Sequence, residues 1–407
     1  MSTVPPIFIF LVAGEPSGDA LGGALIAALR TRTGGRLRIA GIGGERMREE
    51  GLESLVPLSD LAVAGLAEVV PRAPLILRHV RGTVAAITAL RPDVVVTIDS
   101  SGFTWRIAQR LRRRGDSVPL IHYVAPMVWA WRPGRARRMA RWYDHLLVLL
   151  PFEPPYFERV GLPCDAVGHP VIESGAGRGD GARFRAAHAI AADVPVLAVL
   201  PGSRGGEVKR LLPIFGRTLA RVAPALRSFR VVVPTVPTVA AAVAAAVAAW
   251  PGRPIVVSRP DEKYDGFAAS RAALAASGTV ALELALAGVP MVVGYRLNPL
   301  TEAILARLLH VRHVNLVNLL LDRPLVPELL GRDCTPERLA AALLPLLCDE
   351  RVRAAHRQGY DEAMRRLGAG GPSPSLKAAD RILAILAARR PARCDAGRGD
   401  PFGEETT

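Results

Sequence analysis

The chain has 407 residues, half of them hydrophobic, with 52 basic and 37 acidic side chains and a formal charge of +15. This length is too great for one ordinary core, which excludes a small single-domain module and predicts two domains. Nearly all of the positive charge is arginine, since only Lys209, Lys263 and Lys377 are lysines. Such a skew is typical of coding bias, and we predict no nucleic-acid partner, although a basic protein is also attracted to anionic phospholipid head groups.

The first half alternates strand and helix patterns. Ile7–Ala13 is apolar and leads into a turn without the basic segment of a signal peptide, so it predicts a first core strand. Val94–Ile98 is a continuous β-branched run, typical of a buried parallel strand. The other predicted elements of this half are strands Leu37–Ile42, Leu120–Val124 and Leu146–Leu150 and helices Ala20–Arg30 and Trp105–Arg114. This rhythm predicts an α/β fold with a doubly wound parallel sheet.

The second half repeats the rhythm after a segment poor in apolar residues, 174–181. Its predicted strands are Val196–Leu200, Arg230–Val233, Ile255–Val257, Ala272–Ala275 and Pro290–Val293. We predict an N-terminal Rossmann-like domain over 1–173, a C-terminal Rossmann-like domain over 182–367, a final helix over 376–390 and a disordered tail over 391–407. Two such halves predict a cleft between them, with ligands at the carboxyl ends of the strands.

Cysteine spacing and hydropathy indicate the cellular compartment of the protein and its relation to membranes. Cys164, Cys334, Cys348 and Cys394 are not in paired spacings, so the sequence predicts neither a metal site nor a disulfide framework. No run reaches the ~20 apolar residues of a membrane-spanning helix. These observations predict a cytoplasmic protein that is soluble or peripherally attached to a membrane.

Two small-residue turns in the second half are candidate phosphate sites. Leu200–Glu207 reads Leu-Pro-Gly-Ser-Arg-Gly-Gly-Glu and Ala276–Glu283 reads Ala-Ser-Gly-Thr-Val-Ala-Leu-Glu, each between a predicted strand and a helical pattern. Backbone amides at such turns bind phosphate, helped by the positive end of the helix dipole. An ordinary strand-to-helix turn is the alternative. Side by side, the two turns would hold a diphosphate through residues Gly202, Ser203, Arg204, Ser277, Gly278 and Thr279.

Two carboxylates, Glu283 and Asp99, are candidate functional residues because of where they lie beside predicted strands and turns. Glu283 is predicted to accept hydrogen bonds from ribose hydroxyls, with a solvated helix carboxylate as the alternative. Asp99 closes the strand Val94–Ile98 and is predicted to be a general base for an attacking hydroxyl, with a helix cap as the alternative. The chain contains no Asp-x-Asp pair, which favours holding a leaving diphosphate with amides and arginine, without a metal or another cofactor.

Two further stretches suggest an acceptor site in the first half. His122–Arg132 contains a tyrosine and two tryptophans, in a chain with 5% aromatic residues, and arginines follow it. RNA stacking and an ordinary buried helix are alternatives, but we interpret the stretch as a wall that meets a lipid or sugar and its phosphate. The segment Leu61–Leu77 is apolar nearly all round, which predicts burial in a core or contact with lipid.

Taken together, these segments resemble lipid A disaccharide synthase, a glycosyltransferase family of the GT-B type. The resemblance extends from residue 13 to about 330, and the combination of segments is more specific than any one of them. The matching segments are Ala13–Asp19, His122–Arg132, Leu150–Glu153, Gly168–Pro170, Leu200–Glu207, Ser277–Glu283, Pro290–Tyr295 and Val317–Leu320.

The resemblance implies two Rossmann-like domains facing across a cleft and an inverting transfer of 2,3-diacylglucosamine from UDP-2,3-diacylglucosamine to 2,3-diacylglucosamine 1-phosphate. The N-terminal domain would take the acceptor, beside the cytoplasmic leaflet of the inner membrane, and the C-terminal domain the donor; a homodimer is left open. The implied catalytic residues are Asp99 and Arg204, and Asn318 joins the donor-binding residues. The implied acceptor-binding residues are Glu15, Ser17, Gly18, Asp19, His122, Trp129, Trp131 and Arg132.

One departure and two rival classes accompany this interpretation. Some family members read Pro-Asp-Phe-Asn where this chain has Ser101-Gly102-Phe103-Thr104, so a second carboxylate is missing and Asp99 is favoured as sole base. Another UDP-sugar enzyme of the same architecture, such as a 2-epimerase or a peptidoglycan-type transferase, would not need a lipid-sized apolar cleft. A nucleic-acid-binding protein would show steep salt dependence without competition by UDP.

Overall fold

The computed structural model of the chain describes residues 5–61, 66–131, 133–298 and 312–389, with the backbone alone described at 66–71. The predicted tail 391–407 and the predicted acceptor residue Arg132 lie outside this described part. None of the helices described is long and apolar enough to cross a membrane.

Six parallel strands form a first sheet with the order β2-β1-β3-β4-β5-β6. Every residue of β3 is buried, as expected for a parallel strand covered on both faces. The strands are β1 (Ile7–Ala13), β2 (Leu37–Ile42), β3 (Val94–Ile98), β4 (Leu120–Tyr123), β5 (His145–Val148) and β6 (Cys164–Ala166).

A second sheet of six parallel strands has the order β12-β11-β10-β7-β8-β9. Each sheet therefore reverses its strand order once, between β1 and β3 in the first sheet and between β7 and β10 in the second. The strands are β7 (Val196–Leu200), β8 (Arg230–Pro234), β9 (Ile255–Val257), β10 (Ala272–Ala275), β11 (Met291–Tyr295) and β12 (Glu328–Leu330). The predicted doubly wound α/β architecture is confirmed.

Helices connect the strands and cover the sheets. The α-helices described are Pro16–Thr33, Glu45–Glu49, Leu66–Leu90, Ser101–Arg113, Gly134–Met139, Pro154–Glu158, Gly181–Ala187, Gly205–Val222, Ala240–Val247, Pro260–Ala269, Val280–Leu286, Leu316–Leu321, Pro336–Cys348, Glu350–Arg366 and Pro374–Arg389. Short 3₁₀ helices cover Leu58–Asp60, Pro170–Glu173, Ala176–Arg178, Ala223–Ala225 and Gly331–Asp333. The first helix begins at Pro16, four residues before the predicted start, because proline is tolerated in the first helical turn.

The connection between the halves is packed rather than solvated. Ala176 is buried, and a Cβ on Gly179 would lie 2.0 Å from the Tyr264 carbonyl oxygen. The Asp180 carboxylate accepts from the Arg183 amide at 2.9 Å and so caps the next helix. The polar, glycine-rich composition of 174–181 therefore reflects close backbone packing against the second half.

The helix Pro374–Arg389 returns to the first sheet. Ala379 and Ile382 on this helix pack in one buried cluster with Ile9 and Leu11 of β1. At its start, the Ser375 amide donates to the Glu173 carboxylate at 3.3 Å. The chain thus crosses between the two halves twice, and residues from both ends of the sequence build the first core.

Candidate active site

The turns after β1 and β3 meet where the first sheet reverses its strand order. Ala13 pairs with Ile98, so Gly14 and Asp99 begin adjacent turns. A Cβ on Gly14 would lie 2.5 Å from the Ser100 Oγ, and only glycine allows this approach. Ligands of open α/β sheets bind at such a reversal point, which makes this edge the first part of the candidate site.

Asp99 has a left-handed backbone with a φ of 49°, and Ser100 follows with a φ of 46°. The Asp99 amide donates to the Tyr123 carbonyl at 2.9 Å, and the Asp99 carbonyl accepts from the Thr104 Oγ1 at 2.9 Å. Conformations of this kind persist where the surroundings hold them, and they cluster at functional sites. The fold thus fixes the direction in which Asp99 leaves its strand.

The Asp99 side chain is directed to the adjacent turn. Its Oδ2 accepts a hydrogen bond from the Ser17 Oγ at 3.2 Å. The helix Ser101–Arg113 has Ser100 at its N-cap and no side-chain capping bond. The helix-cap alternative for Asp99 is therefore not observed, and its carboxylate remains at the edge of the sheet beside Ser17.

Glu15 links this edge to the second half. Burial raises the pKa of the Glu15 carboxyl group, the nearby Asp99 carboxylate raises it further, and the Arg204 guanidinium lowers it. Arg204 follows β7 in the second sheet. The fold therefore brings Glu15 close both to Asp99, the predicted base, and to Arg204, the side chain predicted to bind the diphosphate.

The two predicted phosphate turns lie side by side in the second sheet. Leu200, the last residue of β7, pairs with Ala275, the last residue of β10. The turns that follow, 201–204 and 276–279, lead into helices Gly205–Val222 and Val280–Leu286. Both turns therefore present amide groups at the same edge of the sheet, at the point where its strand order reverses.

The two turns nevertheless differ in what occupies them. In the first turn, the Glu207 Oε2 accepts from the Ser203 amide at 3.1 Å. A Cβ on Gly202, which has a φ of 105°, would lie 2.0 Å from that oxygen. A Cβ on Gly278 in the second turn would meet no heavy atom of the described chain within 4 Å. The first turn is thus filled by a carboxylate of the protein, whereas the second is open.

Glu283 is held by a cation from a neighbouring helix. The Lys263 Nζ lies 2.6 Å from the Glu283 Oε2, and both side chains are mostly buried. The Lys263 Nζ also lies 4.8 Å from the centre of the Tyr264 ring. A fully solvated carboxylate is therefore not observed at this position. Among the residues described, no group of three or more His, Cys, Asp or Glu side chains is placed to hold a metal ion.

Gly18 and Asp19 build the first turn of their helix. A Cβ on Gly18 would lie 3.3 Å from the Ile98 carbonyl oxygen. The buried Asp19 carboxylate accepts from the Gly44 amide at 2.7 Å and the Met47 amide at 3.1 Å. The structure thus brings Glu15 and Ser17 to Asp99, whereas Asp19 supports the start of helix Glu45–Glu49.

His122 lies inside the first half. Its side chain is 1% exposed, its Nδ1 lies 2.8 Å from the Thr97 Oγ1, and its ring centre lies 4.9 Å from that of Tyr143. Burial lowers the pKa of His122 to about 3, so the ring is neutral at physiological pH. The structure does not bring this predicted acceptor residue to the edge that holds Asp99.

Asn318 is also buried, with 1% of its surface exposed. Its Oδ1 accepts from the Leu325 amide at 2.9 Å and the Val326 amide at 2.8 Å. Its Nδ2 donates to the Val326 carbonyl at 2.8 Å and to Glu328. All of its hydrogen-bonding capacity holds the turn before β12, so the structure gives this predicted donor residue a supporting position.

Trp129 and Trp131 lie at the junction of the two halves. Both pack against the core cluster that contains Leu282 of the second half. The Trp129 Nε1 donates to the Glu153 Oε1 at 3.2 Å. Burial raises the pKa of Glu153 to about 7, partly opposed by hydrogen bonds from the Leu150 amide and Trp129. This predicted acceptor wall is therefore largely an internal contact.

A cavity of about 200 Å³, lined by both polar and apolar side chains, opens beside Glu15 and Ser100. It lies between the helices Leu66–Leu90 and Ser101–Arg113. The lining side chains with apolar surface are Leu61, Ala73, Ile76, Leu77 and Phe103, and Arg106 lies at the edge. The apolar run 61–77 that supplies most of this wall is visible in the sequence. The contribution of Phe103 and Arg106 is not, since helical periodicity alone does not show which face meets a cavity.

Comparison with known proteins gives a consistent result over nearly the whole chain. The sequence model of a family described as lipid-A-disaccharide synthetase matches residues 9–371. A lipid-A-disaccharide synthase of Rhodospirillum centenum is 58% identical over 94% of this chain and 96% of its own length. One from Paramagnetospirillum magneticum is 52% identical over 93% of this chain and 98% of its own length.

Solved structures share the fold at low sequence identity. A putative UDP-N-acetylglucosamine 2-epimerase from Listeria monocytogenes superposes with a TM-score of 0.62 at 15% identity, covering 94% of this chain and 96% of its own. A complex of MnaA from S. aureus with UDP gives a TM-score of 0.60 at 13% identity, covering 95% and 99%. These similarities confirm the two-domain GT-B architecture that the sequence predicted.

Proposed function

This chain belongs to the lipid-A-disaccharide synthase family, and we propose that it joins two acylated glucosamines where the turns of its two sheets meet. It is a glycosyltransferase of lipid A biosynthesis. The donor is UDP-2,3-diacylglucosamine and the acceptor is 2,3-diacylglucosamine 1-phosphate, which give the β-1,6-linked disaccharide 1-phosphate and UDP. The observation that carries the assignment of residues is the position of Glu15, which lies close enough to Asp99 in its own half and to Arg204 in the other half for both charges to act on its carboxyl group.

Asp99 is the general base. Its carboxylate takes the proton of the acceptor 6-hydroxyl while that oxygen bonds to the anomeric carbon of the donor. The bond from this carbon to the UDP oxygen breaks on the opposite face, so the configuration inverts and the electron pair leaves with UDP. The fixed backbone of Asp99 and its hydrogen bond from Ser17 support this role, because a general base acts only from a defined position.

Arg204 and the open turn at Gly278 stabilise the leaving diphosphate. A guanidinium group offers paired N–H donors to phosphate oxygens, and preorganised donors are most effective where charge develops in the transition state. The space over Gly278 admits a phosphate to the amides of Ser277–Thr279. Glu283 lies one helical turn further and holds the ribose hydroxyls.

The acceptor enters from the cavity beside Glu15, along the wall of that cavity that carries apolar side chains. Leu77 lines this cavity and is 36% exposed, so one side chain contacts both the cavity and the surroundings. Apolar surface of this kind takes acyl chains, and burial of each CH₂ contributes about 0.8 kcal/mol. We therefore place the protein at the cytoplasmic face of the inner membrane, where its substrates lie, attached by peripheral contact.

A product assay tests the proposed reaction. Purified protein is incubated with both acylated substrates in the presence of a chelator, and UDP and lipid products are followed by mass spectrometry. We expect UDP together with a disaccharide 1-phosphate whose mass equals the sum of the two substrates minus the mass of UDP. UDP binding without disaccharide formation would instead favour another UDP-sugar enzyme of this fold, and conversion of UDP-N-acetylglucosamine without acceptor would identify a 2-epimerase.

A further inference from the structure

Glu207 lies in the helix that follows turn 201–204, and it has no part in the reaction described above. It is the third residue of helix Gly205–Val222 and is 8% exposed. Its carboxylate folds back over the preceding loop and accepts from the Ser203 amide. A Cβ on Gly202 would lie 2.4 Å from the Glu207 Cδ. The glycine is therefore needed here to make room for Glu207.

Tyr295 and two arginines lie in the surroundings of this carboxylate. Tyr295 is the last residue of β11. Burial raises the pKa of Tyr295, and the nearby Glu207 charge raises it further, whereas Arg204 and Arg210 lower it. The Glu207 carboxylate therefore lies among charged and polar groups of several elements.

Glu207 is therefore a buried carboxylate that accepts from a backbone amide, with a phenol and two guanidinium groups nearby. The positive end of helix Gly205–Val222 also favours a negative charge at this position. A diphosphate that approached the Ser203 amide would have to displace the Glu207 carboxylate or lie beside it. Lying beside it is unfavourable, because two negative charges in contact repel each other. The open turn at Gly278 carries no such charge.

We propose that Glu207 is a positioning residue that fixes turn 201–204, so that Arg204 reaches the donor diphosphate while the diphosphate itself rests on the turn at Gly278. This inference rests on the proposed function, because it acts through the assignment of Arg204 to the diphosphate. It separates two turns of similar sequence by role: one supplies a directed side chain, and the other supplies backbone amides.

A double-mutant cycle tests whether Glu207 acts through Arg204. We expect Glu207→Ala to lower the donor kcat/KM by about 100-fold, since a displacement near 1 Å has effects of this size. In a protein that already carries Arg204→Ala, the same change is expected to lower it by less than about threefold. Independent, additive losses in the cycle would overturn the proposal.

A conservative variant keeps the test decisive where the alanine variant folds poorly. Glu207→Gln retains an oxygen acceptor for the Ser203 amide, so its donor kcat/KM is expected to stay within about fivefold of that of the unsubstituted protein. A folded Glu207→Gln protein with a loss as large as that of Glu207→Ala would contradict the proposal.

UDP titration provides a second readout, and Glu337→Ala the matched control. Glu337 is also in the first turn of a helix but is exposed and pairs with Arg221, outside the candidate site. We expect Glu207→Ala to weaken UDP binding and Glu337→Ala to leave it unchanged. Tighter UDP binding by Glu207→Ala would mean that the carboxylate competes with phosphate for the first turn, which would overturn the inference. Failure of the proposed function itself would appear separately, as an unsubstituted protein that forms no disaccharide.

Discussion

Arg204 lies near enough to Glu15 to lower the pKa of that carboxyl group, against the burial that raises it. Glu15 belongs to the turn after β1 and Arg204 to the turn after β7. Neither sheet alone holds both charges, so the site forms only when the two sheets face each other. This relationship also makes the ionisation of Glu15 sensitive to changes in the other half of the chain.

Asp99→Asn is expected to lower kcat by about 100-fold or more, the range that general bases contribute. Asparagine tolerates the left-handed backbone that Asp99 adopts, so the fold should be kept. Circular dichroism and thermal unfolding check the fold, and initial rates check kcat. Asp193→Asn, at an exposed position, is the control. A folded Asp99→Asn protein with near-normal rate would remove Asp99 from the role of base.

Arg204→Ala is expected to raise the donor KM and lower kcat, because a phosphate contact is lost. It is also expected to shift the acidic limb of the pH–rate profile to higher pH, if Glu15 must be ionised. The sign follows from the structure: Arg204 lowers the pKa of Glu15, so its removal raises that pKa. Arg204→Lys keeps the charge and should leave the limb in place while the donor KM still rises. An unchanged donor KM and kcat would contradict the phosphate contact.

Asn318→Ala is expected to destabilise the protein by about 3 kcal/mol, because it leaves buried backbone groups of Leu325 and Val326 without partners. Urea unfolding measures this change. Gln358→Ala, which removes an exposed amide side chain, should have almost no effect. Unchanged stability together with a large rise in the donor KM would instead give Asn318 the direct donor contact that the sequence predicted.

Glu153 makes stability depend on pH. Burial raises its pKa from 4.5 to about 7, so the folded state holds a proton that the unfolded state releases above pH 4.5. The stabilisation is therefore complete below the unfolded pKa and is lost as pH rises through about 7. The loss is at most about 1.4 kcal/mol per pH unit. Urea unfolding from pH 5 to 8 should show this slope relative to Glu153→Gln, and parallel curves for the two proteins would refute it.

Leu77→Ser is expected to reduce cosedimentation with anionic phospholipid vesicles by about fivefold, since a leucine side chain loses its apolar contact. Leu77 lies at the mouth of the cavity beside Glu15. Leu55→Ser is the control, because Leu55 is 51% exposed but does not line that cavity. Equal recovery of the unsubstituted protein, Leu77→Ser and Leu55→Ser in the soluble fraction, with and without vesicles, would argue against membrane contact through this surface.

Ten of the twelve described strands, and the adjacency of turns 201–204 and 276–279, could be predicted from sequence, whereas the three-residue edge strands β6 and β12 could not. Buried parallel strands are written as continuous apolar runs, as in Val94–Ile98, and the alternation with helices fixes their direction. Gly202 and Gly278 have similar sequence surroundings, because each lies in a turn after an apolar run. The structure distinguishes the two turns, because the Glu207 carboxylate occupies the first and the second is open. The third residue of a helix is a position from which side chains often turn back onto the preceding loop.

Side-chain roles that depend on distant partners could not be predicted. Asp19 lies in a turn of charged and small residues, yet its partners Gly44 and Met47 come from another segment. His122 similarly faces Thr97 on the neighbouring strand. Sequence patterns place such residues on an edge or face of the sheet, but whether a polar side chain points to the site or into the core depends on tertiary packing.

The return of helix Pro374–Arg389 to the first sheet affects how the protein is made. β1 leaves the ribosome first, but the helix that covers Ile9 and Leu11 emerges only after the entire second sheet has been synthesised. Apolar surface of the first half therefore stays uncovered while the second half is synthesised. Exposed apolar surface of this kind favours chaperone binding or aggregation. A premature stop codon before this helix would leave the core of the first half incomplete even though every residue of its sheet had been translated.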